Sequence, residues 1–155
     1  MKTEKLNPGN PLIVVNPGSD MKHSDLTHKI IGCAMEVHGI LGNGFQEVIY
    51  QRALAIEFDQ QYISYSRETE MPIFYKEFAI GTRRVDFFIE DKVLIEIKAI
   101  TQLDDVHLAQ ALNYLEAFNI EIGMLINFGA KSLQFKRLLN KKYNQPNKSE
   151  PGLKD

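Results

Sequence analysis

Arg84-Val85-Asp86-Phe87-Phe88-Ile89-Glu90-Asp91-Lys92-Val93-Leu94-Ile95-Glu96-Ile97-Lys98-Ala99 is the stretch that decides the fold. Apolar and β-branched residues dominate both halves, and Glu90-Asp91-Lys92 supplies a polar turn between them, so it reads as a β-hairpin. Side chains on a strand alternate faces, which puts Glu96 and Lys98 on the same side. A turn centred on Asp91 sets Ile89 opposite Val93 and Asp86 opposite Glu96. Like charges directly opposed across a ladder repel. At about 5 Å and an effective dielectric of about 20, the bare cost is about 3 kcal/mol. Two carboxylates so placed call for a cation between them, and a divalent metal is the simplest.

The second arm of the hairpin also locates the site. Val93, Ile95, Ile97 and Ala99 make one apolar face; Leu94, Glu96, Lys98 and Ile100 make the other, which turns polar halfway along. That pattern is expected where a strand emerges from beneath a helix into a cleft.

Upstream, Ser24 is placed to cap a helix running to about His38, with Leu26, Ile30, Ile31, Ala34 and Val37 as its apolar stripe. Gly39-Ile40-Leu41-Gly42-Asn43-Gly44 is expected to break it. A second helix over about Phe45 to Gln60 buries Val48, Ile49, Leu54, Ala55 and Phe58. Strands are predicted at about Ile63–Arg67, Glu70–Tyr75, Arg83–Ile89 and Val93–Ala99. Asp104 or Asp105 starts a third helix to about Phe118, a strand follows at about Gly123–Asn127, and a final helix is expected at about Leu133–Leu139. Helices, a meander of strands, then helix and strand predict an α/β sandwich: a mixed central sheet with helices on both faces.

The helices offer companions for the carboxylates. Glu47 lies three residues before Tyr50, so both share a helical face near an N-terminus. His107, Gln110 and Tyr114 form a polar ridge on an otherwise apolar helix. Cys33 falls among apolar neighbours and reads as inert core, and His23, His28 and His38 as surface or cap residues.

Composition bounds the rest. The chain has 155 residues, 44% hydrophobic and 25% charged, ordinary values for one globular domain at 21–140. Residues 1–20, rich in Pro, Gly and Asn, and 141–155, rich in Lys, Asn and Pro, read as flexible tails. Met21 directly precedes the first helical pattern, which makes it a candidate start. Leu12-Ile13-Val14-Val15 is too short to count as a strand. No apolar run approaches the ~20 residues needed to span a membrane. No signal-peptide pattern opens the chain, and the lone cysteine excludes an intramolecular disulfide, so the cytoplasm is the expected location. The net charge of −2 announces no global field for nucleic acid. A local patch would have to hold it: Arg83-Arg84, or Lys131, Lys136, Arg137, Lys141 and Lys142, which would equally complement the dipole of a closing helix.

Gly44-Phe45-Gln46-Glu47-Val48-Ile49-Tyr50 resembles the signature of the GxxExxY proteins, which belong to the PD-(D/E)XK nuclease superfamily. The resemblance runs from about Leu26 to Leu139 and takes in the Gly42–Gly44 turn, Asp86, Glu96-Ile97-Lys98 and the His107/Gln110/Tyr114 helix. Two positions depart from the pattern: Asn43 stands where many relatives have Pro, and Val85 precedes Asp86 in place of the superfamily's proline. Asn tolerates a left-handed turn, so the first departure is compatible with the fold.

The resemblance implies a restriction-endonuclease-like α/β/α sandwich that cuts phosphodiester bonds with Mg²⁺, for which Mn²⁺ would substitute. Asp86, Glu96 and the carbonyl of Ile97 would hold the metal, with Glu47 completing its shell directly or through water. Lys98 would orient the attacking water or stabilise developing charge, and Gln110 would hydrogen-bond in the cleft. Tyr50, Arg84, Tyr114 and His107 are candidate substrate contacts. Tyr50 and Tyr114 read equally as half-buried core tyrosines, and His107 as a helix-start contact. The implied partner is nucleic acid, DNA before RNA, with a homodimer or a targeting partner as further candidates. The competing expectation is a nuclease-fold binding or interaction module without useful turnover.

Overall fold

The computed structural model describes residues 22–145. The expected tail 1–20, the strand-like Leu12–Val15, the candidate start at Met21 and residues 146–155 lie outside the described residues. The elements are α1 (Ser24–Leu41), α2 (Glu47–Gln60), β1 (Tyr65–Tyr75), β2 (Phe78–Ile89), β3 (Val93–Lys98), α3 (Asp105–Phe118), β4 (Ile122–Asn127) and β5 (Gln134–Leu139).

The strands form one sheet in the order β1-β2-β3-β4-β5. All neighbours are antiparallel except β3 and β4, which are parallel and joined through α3. A parallel pair needs such a crossover, because the chain must return to the same end of the sheet. On one face Val93, Ile95, Ile97, Ile122 and Ile126 meet Ile30 and Val37 of α1 and Tyr50, Leu54 and Phe58 of α2. On the other, Val85 and Leu94 meet Leu115 of α3 and Ile120. Apolar surface on both faces of the sheet is thereby removed from water, and the architecture is the expected α/β/α sandwich.

Several local expectations are corrected. The helix expected over 133–139 is instead strand β5 from Gln134 to Leu139. β4 is buried along its whole length, and without β5 its outer row of backbone N–H and C=O groups would be buried unpaired. That demand overrides the helix propensity of Leu, Gln, Lys and Arg, and it removes the helix dipole that the basic residues were to complement. Ser24 is the first residue of α1 rather than its cap; His23 takes that place with φ 57° and no side-chain bond. α1 runs through Gly39 to Leu41 and stops at Gly42, whose φ of 76° suits a residue without Cβ and whose N–H reaches the His38 carbonyl. The two strands expected before the hairpin are one, β1, with Glu68 at φ 55° marking their joint. In α2, Val48 faces outward and Tyr50 and Gln51 are buried in its place.

β1 and β2 outreach the rest of the sheet. β2 pairs with β3 only from Phe87 to Ile89, whereas it pairs with β1 down to Tyr75↔Phe78. The two strands therefore continue as a ribbon past the C-terminal end of β3, with Phe74, Tyr75, Phe78 and Ile80 exposed near its turn. At the opposite edge, Asn144 and Asn119 exchange hydrogen bonds of 2.9 Å, tying the segment after β5 to the end of α3. Among the described residues, no helix is long and apolar enough to cross a membrane.

The loops that frame the end of β3 are fixed by one buried side chain. Asn127 Oδ1 accepts from the N–H of Ile100 at 2.9 Å and of Gly129 at 3.0 Å. Its Nδ2 donates to the Ile100 carbonyl and to Gln134 Oε1, both at 2.9 Å, and Gln134 Oε1 also takes the Leu103 N–H at 3.1 Å. Gly129 lies so close that an added Cβ would stand 2.4 Å from the Ile100 nitrogen and 2.5 Å from the Ala99 carbonyl carbon. Because both are backbone atoms, Gly129→Ala is expected to lower stability by about 3 kcal/mol. Gly81→Ala, where the added carbon meets nothing within 4 Å, is expected to change it by less than about 1 kcal/mol. Urea unfolding of the two variants checks the pair; equal midpoints would show that the loops are not packed this tightly.

Candidate active site

The β2–β3 ladder has the expected register, Ile89↔Val93, Phe88↔Leu94 and Phe87↔Ile95, and it ends before Asp86. From there the Asp86 side chain takes over the bonding. Oδ2 accepts the Ile97 N–H at 2.8 Å, and Oδ1 accepts from Gln51 Nε2 at 2.9 Å. On the other flank, Glu68 sits between the pairs Arg67↔Phe87 and Thr69↔Val85 with its left-handed φ. Residues two apart in a regular strand share a face. Here Phe87 packs towards α1 and α2 while Val85 packs towards α3, so β2 changes faces at Asp86.

The change of face brings Arg83 to Glu96. Glu96 alternates with Leu94 onto the α3 side, and Arg83 shares the side of Val85. Arg83 Nη2 lies 2.8 Å from Glu96 Oε1, and the guanidinium carbon lies 4.8 Å from the centre of the Tyr114 ring on α3. Glu96 is 4% exposed. Its Oε2 and the Nε of Arg83 are buried without a hydrogen-bond partner.

Burial raises the pKa of both acids. Glu96 is pushed up to about 7, first by loss of water and then by the charge of Asp86, against the opposing pull of Arg83 and Lys98. Burial also raises Asp86 above the ordinary carboxylate value, while the Ile97 N–H, Gln51, Arg83 and Lys98 hold it back. Lys98 is half-buried on the same strand face as Glu96. Two adjoining carboxyls, one with an unpartnered buried oxygen, make a donor set that fits a hard divalent cation. Among the described residues, no group of three or more His, Cys, Asp or Glu side chains is close enough to hold a metal. An ion held there would have to take few protein carboxylates and draw the rest of its shell from water and backbone oxygen.

The site lies towards the C-terminal end of β3, and two helices begin near the same end of the sheet. α3 starts directly after the loop that Asn127 holds. α2 is brought there by its turn: Tyr50 stacks on Phe128 at 4.7 Å, Asn43 reaches the Gly129 carbonyl, and His38 bonds the Ala130 carbonyl at 3.0 Å. Helix N-termini carry positive partial charge and favour anions, phosphate among them.

The remaining candidates fall into two groups. Glu47, in the first turn of α2, and Gln110, on α3, are exposed; Glu47 lies one turn before Gln51 on the same helical face. Tyr114 is half-buried beneath Arg83. Of the other three, Tyr50 and His107 are committed to structure. Tyr50 is wholly buried, with its hydroxyl donating to the Gly42 carbonyl at 2.6 Å and accepting the Phe45 N–H at 3.1 Å, so it presents no surface to a phosphate. Phe45, just before the N-cap, packs edge-on against it, a hydrophobic staple. His107 closes a capping box: its Nδ1 accepts the Asp104 N–H at 3.0 Å. Arg84 is exposed and pairs with Glu70 at 3.3 Å across the ribbon.

Two contacts were not foreseen. Gln51 left a signal, a glutamine in register with the buried Leu54, Ala55 and Phe58. From the sequence, Arg83 reads with Arg84 as a phosphate contact, not as the partner of Glu96. Strict alternation places Arg84 on the side of Asp86, and only the change of face puts Arg83 there instead.

The raised carboxyls set a pH dependence. Between 4.5 and about 7 the folded chain keeps on Glu96 a proton that the unfolded chain has released. Stability of the metal-free protein therefore falls as pH rises through that window, by about 3 kcal/mol, and stays lowered above it. Asp86 shifts in the same direction and adds to the fall. Glu96→Gln is expected to flatten most of it in urea midpoints measured across the window. An equally steep fall in that variant would assign the proton to another group.

Neither a curated protein nor a solved structure matches the chain. A sequence model of the PD-(D/E)XK nuclease superfamily matches residues 24–138, the whole of the sheet short of its last residue and all of its helices. The paired acids and the lysine on adjoining strands stand within that span, and the chain belongs to the PD-(D/E)XK nuclease superfamily.

Proposed function

We propose that the protein is a Mg²⁺-dependent nuclease of the GxxExxY type that hydrolyses phosphodiester bonds, of DNA before RNA, with Mn²⁺ able to replace Mg²⁺. The observation that carries this reading is the buried, unpartnered Oε2 of Glu96 beside Asp86 and Lys98. Asp86, Glu96 and the Ile97 carbonyl would hold the metal, and Glu47 would reach its outer waters from the mouth of the cleft. Once bound, the ion would acidify a water and draw charge from a phosphoryl oxygen.

The protein's own groups supply the rest. Asp86 is oriented by the Ile97 N–H and Gln51, so its carboxylate is held before any ligand arrives. Lys98 donates to the attacking water or to the phosphoryl oxygens, where charge grows in the transition state. The N-termini of α2 and α3 favour the phosphate at the cleft mouth, and Gln110 would meet the substrate backbone there. The leaving oxygen takes its proton from solvent. A homodimer or a targeting partner would serve to place the cut, and a cytoplasmic location agrees with the single reduced cysteine.

A second reading is favoured by the ion pair itself. Arg83 sits on Glu96 at 2.8 Å, an arrangement that a nuclease-fold binding module without turnover would tolerate indefinitely. Cleavage assays separate the two. Wild type is expected to cut plasmid or oligonucleotide DNA with Mg²⁺ or Mn²⁺, and Asp86→Asn, which keeps an oxygen for the Ile97 N–H, and Lys98→Ala to fold normally yet lose at least about 100-fold in rate. Absence of cleavage of any nucleic acid by the wild type, across metals and strand forms, would leave the binding module.

A further inference from the structure

We propose that Arg83 is the resident counter-cation of the metal site, holding Glu96 in the metal-free protein and releasing it when a divalent ion binds. This rests on the metal-site reading above and adds a residue to it.

The contact has the form of a temporary partner. A guanidinium bonded to a carboxylate for structure alone commonly uses a two-pronged fork. Here one prong is made: Nη2 meets Oε1, while Nε and Oε2 stay buried without partners. Each half of the pair thus keeps capacity for a second ligand.

Arg83 is also placed to leave. Its side chain is 34% exposed, against 5% for that of Glu96, so it has a path to solvent that the acid lacks. Its backbone pairs with Met71 of β1 and lies beyond the end of the β2–β3 ladder, on the ribbon rather than the sheet body. Tyr114 supplies a second hold, since a guanidinium over an aromatic face is stabilised without any carboxylate. A divalent ion on Glu96 would stand within a few ångströms of the guanidinium, and like charges at that range repel strongly in a site poor in water.

Mn²⁺ titration at mildly alkaline pH tests this with wild type, Arg83→Gln and the exposed control Arg67→Gln. Arg83→Gln is expected to bind Mn²⁺ about tenfold more tightly than wild type, and to melt at a lower temperature in chelator. The control should match wild type in both. Unchanged or weaker binding by Arg83→Gln overturns the proposal while leaving the metal site standing. Failure of wild type and Arg83→Gln alike to bind Mn²⁺ overturns both, and binding by the variant alone supports the proposal. A measurement on the wild type guards against a variant that does not fold. The Arg83 Nε–H resonance, identified by its loss in Arg83→Lys, is expected to shift when diamagnetic Mg²⁺ is added. A stationary peak under saturating Mg²⁺ overturns the exchange.

Discussion

The hydrogen bond from the Ile97 N–H to the Asp86 carboxylate is the point on which the rest of the architecture turns. It replaces a rung of the β2–β3 ladder with a side chain. The backbone of β2 is then free to depart, and the strand changes faces between Val85 and Phe87. Three consequences follow from that one substitution. Asp86 is held between the strands, Arg83 is delivered to Glu96, and the β1–β2 ribbon is released to run on past the sheet.

The cost of the site is concentrated in the same few atoms. Two carboxyls are drawn out of water and into each other's field, and the cations nearby offset this only in part, as the raised pKa of Glu96 records. Two of the three buried side-chain polar atoms left without partners among the described residues, Glu96 Oε2 and Arg83 Nε, lie here, the third being Arg137 Nε, whereas the buried Asn127 and Asn140 are well bonded. Local instability of this kind is expected where binding of an ion, and not folding, is to supply the missing interactions. The surrounding frame is correspondingly stiff: Tyr50, Phe128, Gly129 and Asn127 lock the loops against one another without touching the carboxyls.

Much of the fold was legible in the sequence. The hairpin register around Asp91 was fixed by alternation and a polar turn, and α3 by a capping residue and an apolar stripe. Both signals are local and neither competes with a tertiary demand. The segment 133–139 was not legible, because its residues favour a helix and only the bare edge of β4 makes it a strand. The two acids were legible from their places on adjoining strands, although the ladder ends before the expected pairing of Asp86 with Glu96, and the partner of Glu96 was not legible. A face change at Asp86 leaves no mark in the hydrophobic pattern, since Val85 and Phe87 are both apolar and both buried.

Asn127 and Gln134 give the fold a temporal order as well as a spatial one. The hairpin with its acids is synthesised before β5, and the loop after β3, bonded at Ile100 by Asn127, gains its second tether only when Gln134 accepts the Leu103 N–H. Until that late strand docks, the loop lacks its hold at Leu103 and the outer edge of β4 is bare. A nascent chain therefore carries the two acids before the strand that completes the sheet around them.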